Sequence, residues 1–154
     1  MGVGFGFAIA AQSLNPTKKV IMVVGDSAFG FSGMEMETAA RYKMPIKVII
    51  INNNGIVSGT DEIDADATPK DIPVTALSPV AQYEKVSIAF GGKGKEVKTH
   101  DDLQGTLRTA LEDNNMWVIN CRISTTAGKK AQTFSWLTVK DGDGPTPPSS
   151  DAKL

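Results

Sequence analysis

The sequence predicts an α/β fold, a doubly wound parallel sheet flanked by helices, and three observations carry that prediction. Predominantly apolar runs rich in β-branched residues recur at 20–24, 46–51 and 117–123, as strands buried on both faces do. Stretches of helical period separate them, which is the alternation of a parallel sheet. Two of the runs stop at small polar clusters, Gly25-Asp26-Ser27 and Asn52-Asn53-Asn54-Gly55, of the kind that end strands at a ligand-bearing edge.

Taken in order, Met1 to Ala11 is apolar, rich in small residues and predicts a helix. Gly2, Gly4 and Gly6 would start a core helix awkwardly without preceding chain, so missing upstream sequence is expected. The same glycines are a poor dinucleotide fingerprint, because no strand precedes them and the third glycine position falls on Phe7. Close helix packing explains them better. Val20 to Val24 predicts a buried strand. Ser32 with Glu35 has the spacing of a capping box and predicts a helix start there, with Phe31, Met34, Thr38, Ala39 and Tyr42 on its buried face.

Pro45 ends that helix and 46–51 is the second strand. Residues 57–76 hold Gly59, Pro69, Pro73 and scattered acids without period, which predicts a long functional loop. Ser78-Pro79 predicts the next helix start, with Tyr83, Val86 and Phe90 on one face and Gly91-Gly92 as the stop. A short strand is expected at 96–98. Thr99 and Asp102 then begin a helix carrying Leu103, Leu107, Ala110 and Leu111 inward, before the strand at 117–123.

Bulk properties narrow the function. With 154 residues, 41% of them hydrophobic, the chain accommodates one domain with a real core. Its 16 basic and 17 acidic residues leave a net charge of −1, so no nucleic acid or anionic membrane partner is expected and any phosphate binding must be local. No run approaches the roughly 20 apolar residues of a spanning helix. The N-terminus lacks the basic start of a secretory signal. Cys121, the single cysteine, lies in an apolar run and is expected to be an inert buried thiol. His100 is expected at the surface.

The two polar clusters end neighbouring strands of one strand-helix-strand unit and therefore share the carboxyl edge of the sheet. Asp26 offers a carboxylate, Asn53 a side-chain carbonyl and Gly55 a backbone carbonyl. Such an incomplete oxygen set suits Mg2+, which takes one or two carboxylates, water and substrate phosphates rather than a full protein cage. The N–H groups of Ser27 and Ala28 would offer donors to a diphosphate. Either cluster alone reads more readily as an ordinary turn; together on adjacent strand ends they read as a site.

The pair also resembles a family signature: Gly-Asp-Gly or Gly-Asp-Ser, a spacer, then Asn-Asn, the pattern of thiamine diphosphate (ThDP) enzymes. Asn53 follows Asp26 by 53 − 26 = 27 positions. Residues 25–35, Glu37-Thr38, Arg41-Tyr42, 52–56, Tyr83-Glu84, 89–94 and 130–137 resemble the 2-hydroxyacyl-CoA lyase and oxalyl-CoA decarboxylase branch of that family. The resemblance implies the diphosphate-binding domain of the ThDP-binding fold over 1–140, an incomplete piece of a three-domain enzyme, followed by a flexible tail over 141–154. It implies Mg2+ on Asp26, Asn53 and Gly55, and ThDP contacts from Gly25, Ser27, Ala28, Asn53, Gly55 and Ile56. The implied reaction is cleavage of 2-hydroxyacyl-CoA to formyl-CoA and a shortened aldehyde, as in fatty acid alpha-oxidation, with oxalyl-CoA decarboxylation or a non-catalytic cofactor-binding fragment as alternatives.

No catalytic residue is assigned in this chain. In the family a glutamate on a separate pyrimidine-binding domain, from the same or a partner chain, activates the cofactor, so the chain alone is expected to be inactive and the full-length form to be a homo-oligomer. Two departures stand out. Val57 replaces a common tyrosine, and Lys129 falls where relatives carry arginine, leaving Lys129 and Lys130 as CoA contacts that hold phosphate as point charges only. The terminal Ala152-Lys153-Leu154 resembles the Ser-Lys-Leu address read by the peroxisomal import receptor, so the peroxisome is the expected location, with the cytoplasm otherwise.

Overall fold

A computed structural model describes residues 1–56 and 67–125. Val57, Lys129, Lys130, the segment 141–154 and its terminal tripeptide lie outside the described residues. The element order is α1 (Gly4–Leu14), β1 (Ile21–Gly25), α2 (Asp26–Ser32), a 3-10 turn (Gly33–Glu35), α3 (Met36–Arg41), β2 (Lys47–Asn52), α4 (Glu84–Ala89), β3 (Lys93–Val97), α5 (His100–Glu112) and β4 (Trp117–Arg122). The four strands form one sheet in the order β1-β2-β4-β3. Every pairing is parallel, with Ile21 opposite Lys47, Lys47 opposite Trp117 and Lys93 opposite Trp117.

Alternation along the strands divides the core in two. Met22, Val48, Ile50 and Val118 face α1 to α4, meeting Phe5, Ala8, Phe29, Met36, Ala39 and the half-buried Val86 and Phe90. Ile119, Trp117 and Val97 face α5, meeting Leu103, Leu107 and Ala110. Helices therefore cover both faces, as the sequence predicts. The first strand departs from expectation: β1 is an edge strand, and Val23 is 64% exposed because α5 packs over β3 and β4 and no described helix covers that face of β1.

The larger correction concerns the helix expected to start at Ser32. Helix α2 begins at Asp26, directly off β1, and Ser32 makes no capping bond; its hydroxyl is buried and has no hydrogen-bond partner. The strand end fixes the helical phase, so the buried series is Phe29, Gly33, Met36, Ala39 at spacings of four and three. Phe31, Met34 and Tyr42, expected inside, are exposed by 71%, 70% and 64%. Gly33 belongs to the inner face because the Phe29 ring lies on it, where a Cβ would come within 2.9 Å of Phe29 Cε1. A count of large apolar residues misses a face completed by glycine.

Two other boundaries move. Helix α4 starts at Glu84 rather than at Ser78-Pro79, since residues 78–83 turn first, with Ala81 N–H on Ser78 O at 3.2 Å. Its inward face and its stop hold as expected, with Gly91 at φ 82° beyond the end. Strand β3 is Lys93–Val97 where only 96–98 was expected. The Thr99 cap is as read: the Asp102 N–H donates to Thr99 Oγ1 at 3.2 Å, while the Asp102 carboxylate turns to Lys95 at 2.5 Å. The packing explanation for the early glycines holds at Gly4, where a Cβ would lie 2.7 Å from Met22 Cε, and at Gly2 against Phe31, but not at Gly6.

At the opposite end of the sheet from the polar clusters, Lys47 is fully buried and its ammonium donates to the Asp113 carbonyl at 2.9 Å and to that of Asn115. Burial, then the nearby Lys19, pushes its pKa down to about 8. A neutral amine still has two hydrogens for the two carbonyls. The folded state therefore binds fewer protons than the unfolded chain between about 8 and the ordinary lysine value of 10.5, and stability rises with pH across that window. Urea unfolding of wild type and Lys47→Met side by side should show the wild type gaining on the variant from pH 8 to 10; a constant difference would contradict this.

Candidate functional site

Gly25 pairs with Ile51, so the ends of β1 and β2 lie side by side at the carboxyl edge of the sheet. The chain turns from Gly25 straight into α2, which makes Asp26 the first helical residue and leaves it 2% exposed. Its Oδ1 accepts the Ser27 N–H at 2.8 Å and its Oδ2 accepts the Gly55 N–H at 3.2 Å, which joins the two strand ends directly. Burial raises the Asp26 pKa above the usual carboxylate range, against the lowering effect of the Ser27, Gly55 and Asn54 backbone donors. A carboxylate has about four lone-pair sites on its two oxygens, so it can accept beyond these backbone donors.

A depression of about 300 Å³ opens here, and Gly25, Asp26, Ser27, Ala28, Asn53 and Gly55 all line it, with Ile51 and Ile123 as apolar wall. Six residues singled out in the sequence thus meet in one place. Ile56 does not line it; its N–H bonds the Thr75 carbonyl at 2.9 Å, beside a bridge between Gly55 and Ala76. The Ser27 donor expected for a diphosphate is turned onto Asp26, whose carboxylate reaches its own neighbour. Ala28 lies in the first turn of α2, where N–H groups have no partner within the helix.

Gly25 supplies a test of fit for a bound group. Its backbone, at φ −74° and ψ 158°, is open to any residue, and a Cβ there would meet nothing of the protein within 4 Å. Neither conformation nor packing among the described residues explains the glycine, whereas a group approaching the backbone closely would. Among the described residues no cluster of three or more His, Cys, Asp or Glu converges, and the one carboxylate that lines the depression is that of Asp26.

Behind the depression lies a polar network that the sequence reading did not pick out. Asn120, fully buried in β4, donates from Nδ2 to Glu84 Oε2 at 2.9 Å and accepts at Oδ1 from Asn52 Nδ2 at 3.0 Å. Asn52 Oδ1 in turn accepts the Asn54 N–H at 3.0 Å. Arg122 Nη1 holds the Asn54 side-chain oxygen at 2.9 Å, and Asn54 itself sits at φ 58°. A polar residue inside the apolar run 117–121 was the available signal. Under the site, Tyr83 meets the Phe29 ring edge-on at 5.7 Å, and burial followed by the Asp26 charge pushes its phenol pKa up. Cys121, expected to be buried, is only half-buried, with its thiol pKa raised by burial, and His100 is exposed as expected.

Comparison with known proteins bears on this site. The family description "Thiamine pyrophosphate enzyme, C-terminal TPP binding domain" matches residues 1–121. The chain is 47% identical over 152 residues to 2-hydroxyacyl-CoA lyase 1 of Mus musculus, covering 90% of this chain and 26% of that protein. It is 40% identical over 144 residues to oxalyl-CoA decarboxylase of Escherichia coli K12, covering 94% and 25% respectively. It thus spans about a quarter of the length of these curated relatives. In fold it is similar to a Rhodococcus jostii RHA1 thiamine diphosphate-dependent 4-hydroxybenzoylformate decarboxylase, at TM-score 0.61 and 22% identity over 80% of this chain and 23% of that one.

Proposed function

The chain belongs to the thiamine pyrophosphate enzyme family, as its C-terminal TPP-binding domain, and from that membership we propose that it holds the Mg2+ and diphosphate of ThDP at the carboxyl edge of β1 and β2. The observation that carries this is the convergence of Asp26, Asn53 and Gly55 with Gly25 and the first turn of α2 around one depression. Asp26, the Asn53 amide oxygen and the Gly55 carbonyl are the hard oxygen donors Mg2+ takes, with diphosphate and water completing the shell. Burial disfavours the charged form of Asp26, and a divalent cation at its oxygens would offset that. The Ala28 N–H and the dipole of the helix start favour the diphosphate.

Bound ThDP supplies the stabilisation of carbanionic charge; the residues of this chain orient it and hold its metal. The whole-protein activity we propose is cleavage of a 2-hydroxyacyl-CoA to formyl-CoA and an aldehyde one carbon shorter, in fatty acid alpha-oxidation, supported by the 47% identity to a 2-hydroxyacyl-CoA lyase. The 40% identity to an oxalyl-CoA decarboxylase keeps a second reading. Joined to the remaining domains of a lyase relative, the chain should release aldehyde from long-chain 2-hydroxyacyl-CoA and little CO2 from oxalyl-CoA, and residues 1–154 alone should turn over neither. CO2 release dominating over aldehyde would transfer the assignment to decarboxylation. The CoA contacts of Lys129 and Lys130, the pyrimidine-binding domain, the homo-oligomer and import to the peroxisome through Ala152-Lys153-Leu154 are parts of the same proposal.

A further inference from the structure

We propose that Glu84, Asn120 and Asn52 form a one-way hydrogen-bond relay that positions the Asn53–Gly55 loop, with the Glu84 carboxylate at the far end dictating which way both buried amides face. The proposal rests on the reading of that loop as the metal and diphosphate site. The three residues come from three elements, α4, β4 and β2, and are 8%, 0% and 1% exposed. In so buried a place an unmade hydrogen bond is costly, and the direction of each bond matters as much as its presence.

The direction follows from the two ends. A carboxylate only accepts, so Asn120 must present its NH2 to Glu84 and its oxygen to Asn52. Asn52 must then present its NH2 to Asn120, which leaves its oxygen for the loop. At that end stands the Asn54 N–H, which only donates. Both ends demand the same orientation, and with either end changed in kind the chain of bonds would run into two like groups. The relay is also anchored from outside. The Glu84 carbonyl approaches Gly94 so closely that a Cβ there would lie 2.1 Å from it, which fixes the start of α4 against β3.

The consequence for the loop is specific. The Asn54 N–H is held by Asn52 and the next one, of Gly55, by Asp26. Two consecutive backbone donors are thereby turned inward, and Asn54 is kept at φ 58°, a conformation that non-glycine residues adopt at a cost. That twist sets where the Asn53 side chain and the Gly55 carbonyl stand relative to Asp26. Glu84, Asn120 and Asn52 are positioning residues; none of the three lines the depression.

Reversing the relay tests it. Asn52→Asp puts an acceptor against the Asn120 oxygen; if Asn120 turns to donate, its oxygen meets the Glu84 carboxylate. Glu84→Gln alone keeps an acceptor and satisfies the original direction. Combining the two lets the relay run backwards, since the new amide at 84 can donate to Asn120, and the number of carboxylates is unchanged. The measurements on the full chain are amide hydrogen exchange at Asn54 without ligand, and ThDP affinity with Mg2+ present.

Asn52→Asp should lower Asn54 protection and ThDP affinity by about 10-fold or more, Glu84→Gln should change each by less than about 3-fold, and the double variant should regain most of the loss. A double variant no better than Asn52→Asp, or an Asn52→Asp chain with Asn54 protection intact, would overturn the relay. If Asn52→Asp alone does not fold, a folded double variant supports the proposal and an unfolded one overturns it. Exchange at Asn54 that follows the pattern while ThDP affinity ignores it would uphold the relay and remove the site reading.

Discussion

Asp26→Asn should reduce Mg2+-dependent ThDP binding by about 100-fold or more, because losing groups outside the metal shell already costs about 10- to 100-fold and Asp26 is proposed as a direct ligand. The substitution keeps shape and one acceptor oxygen while removing the charge that burial holds at a raised pKa. The same change acts in the opposite sense on the ligand-free fold. A carboxyl whose folded pKa is raised contributes stability that is fully present below its unfolded value and is lost as pH rises through the folded one. Ligand-free wild type should therefore lose stability relative to Asp26→Asn as pH rises from about the ordinary aspartate value of 3.8. Urea unfolding across that range, paired with calorimetric ThDP titration at neutral pH, separates the two effects; a variant with unchanged affinity would remove Asp26 from the metal site.

Gly94→Ala is expected to be among the most destabilising single-methyl changes in the chain. The added Cβ would sit 2.1 Å from the Glu84 carbonyl oxygen and 2.8 Å from its carbon, both backbone atoms that no rotamer change can move. Overpacking a core costs typically about 1–3 kcal/mol, and a clash with backbone belongs at or above the top of that range. The cost should spread to the site, because displacing Glu84 from β3 pulls on Asn120 and Asn52. Gly6→Ala and Gly105→Ala, both in helices with open space around the Cβ position, are the controls and should be neutral or slightly stabilising. Equal thermal midpoints for Gly94→Ala and these controls would contradict the packing account.

Fold class was legible because strand runs 20–24, 46–51 and 117–123 carry their own signal, and all three are strands of one parallel sheet within a residue or two. The site was legible for a related reason: both polar clusters mark strand ends, and parallel neighbours put strand ends together. Helix phase was not. Ser32 and Glu35 have cap spacing, but the chain is already helical at Asp26, and a helix that starts at a strand end takes its phase from the sheet rather than from its own sequence. The exposure of Phe31 and Met34 follows from that phase.

The relay was not legible for a different reason. Glu84 and Asn120 are 36 positions apart, and nothing local in either segment says that α4 and β4 will meet behind Asn52. Asn120 interrupts an apolar strand, which signals a buried polar partner without naming it. Asn52 was visible only as one of three consecutive asparagines. The three have distinct jobs in the structure: Asn52 ends β2 and joins the relay, Asn53 lines the depression, and Asn54 takes the left-handed turn.

The edge formed by β1 and β2 is proposed to hold the metal-bound diphosphate. That proposal is tested most directly by following the backbone amide resonances of the full chain during titration with ThDP, with and without Mg2+, and with thiamine as the comparison. Amides of residues 25–28 and 53–55 should shift only when diphosphate and Mg2+ are both present, and thiamine should leave them unmoved. Shifts that ignore Mg2+, that thiamine reproduces, or that fall away from these two strand ends would contradict it.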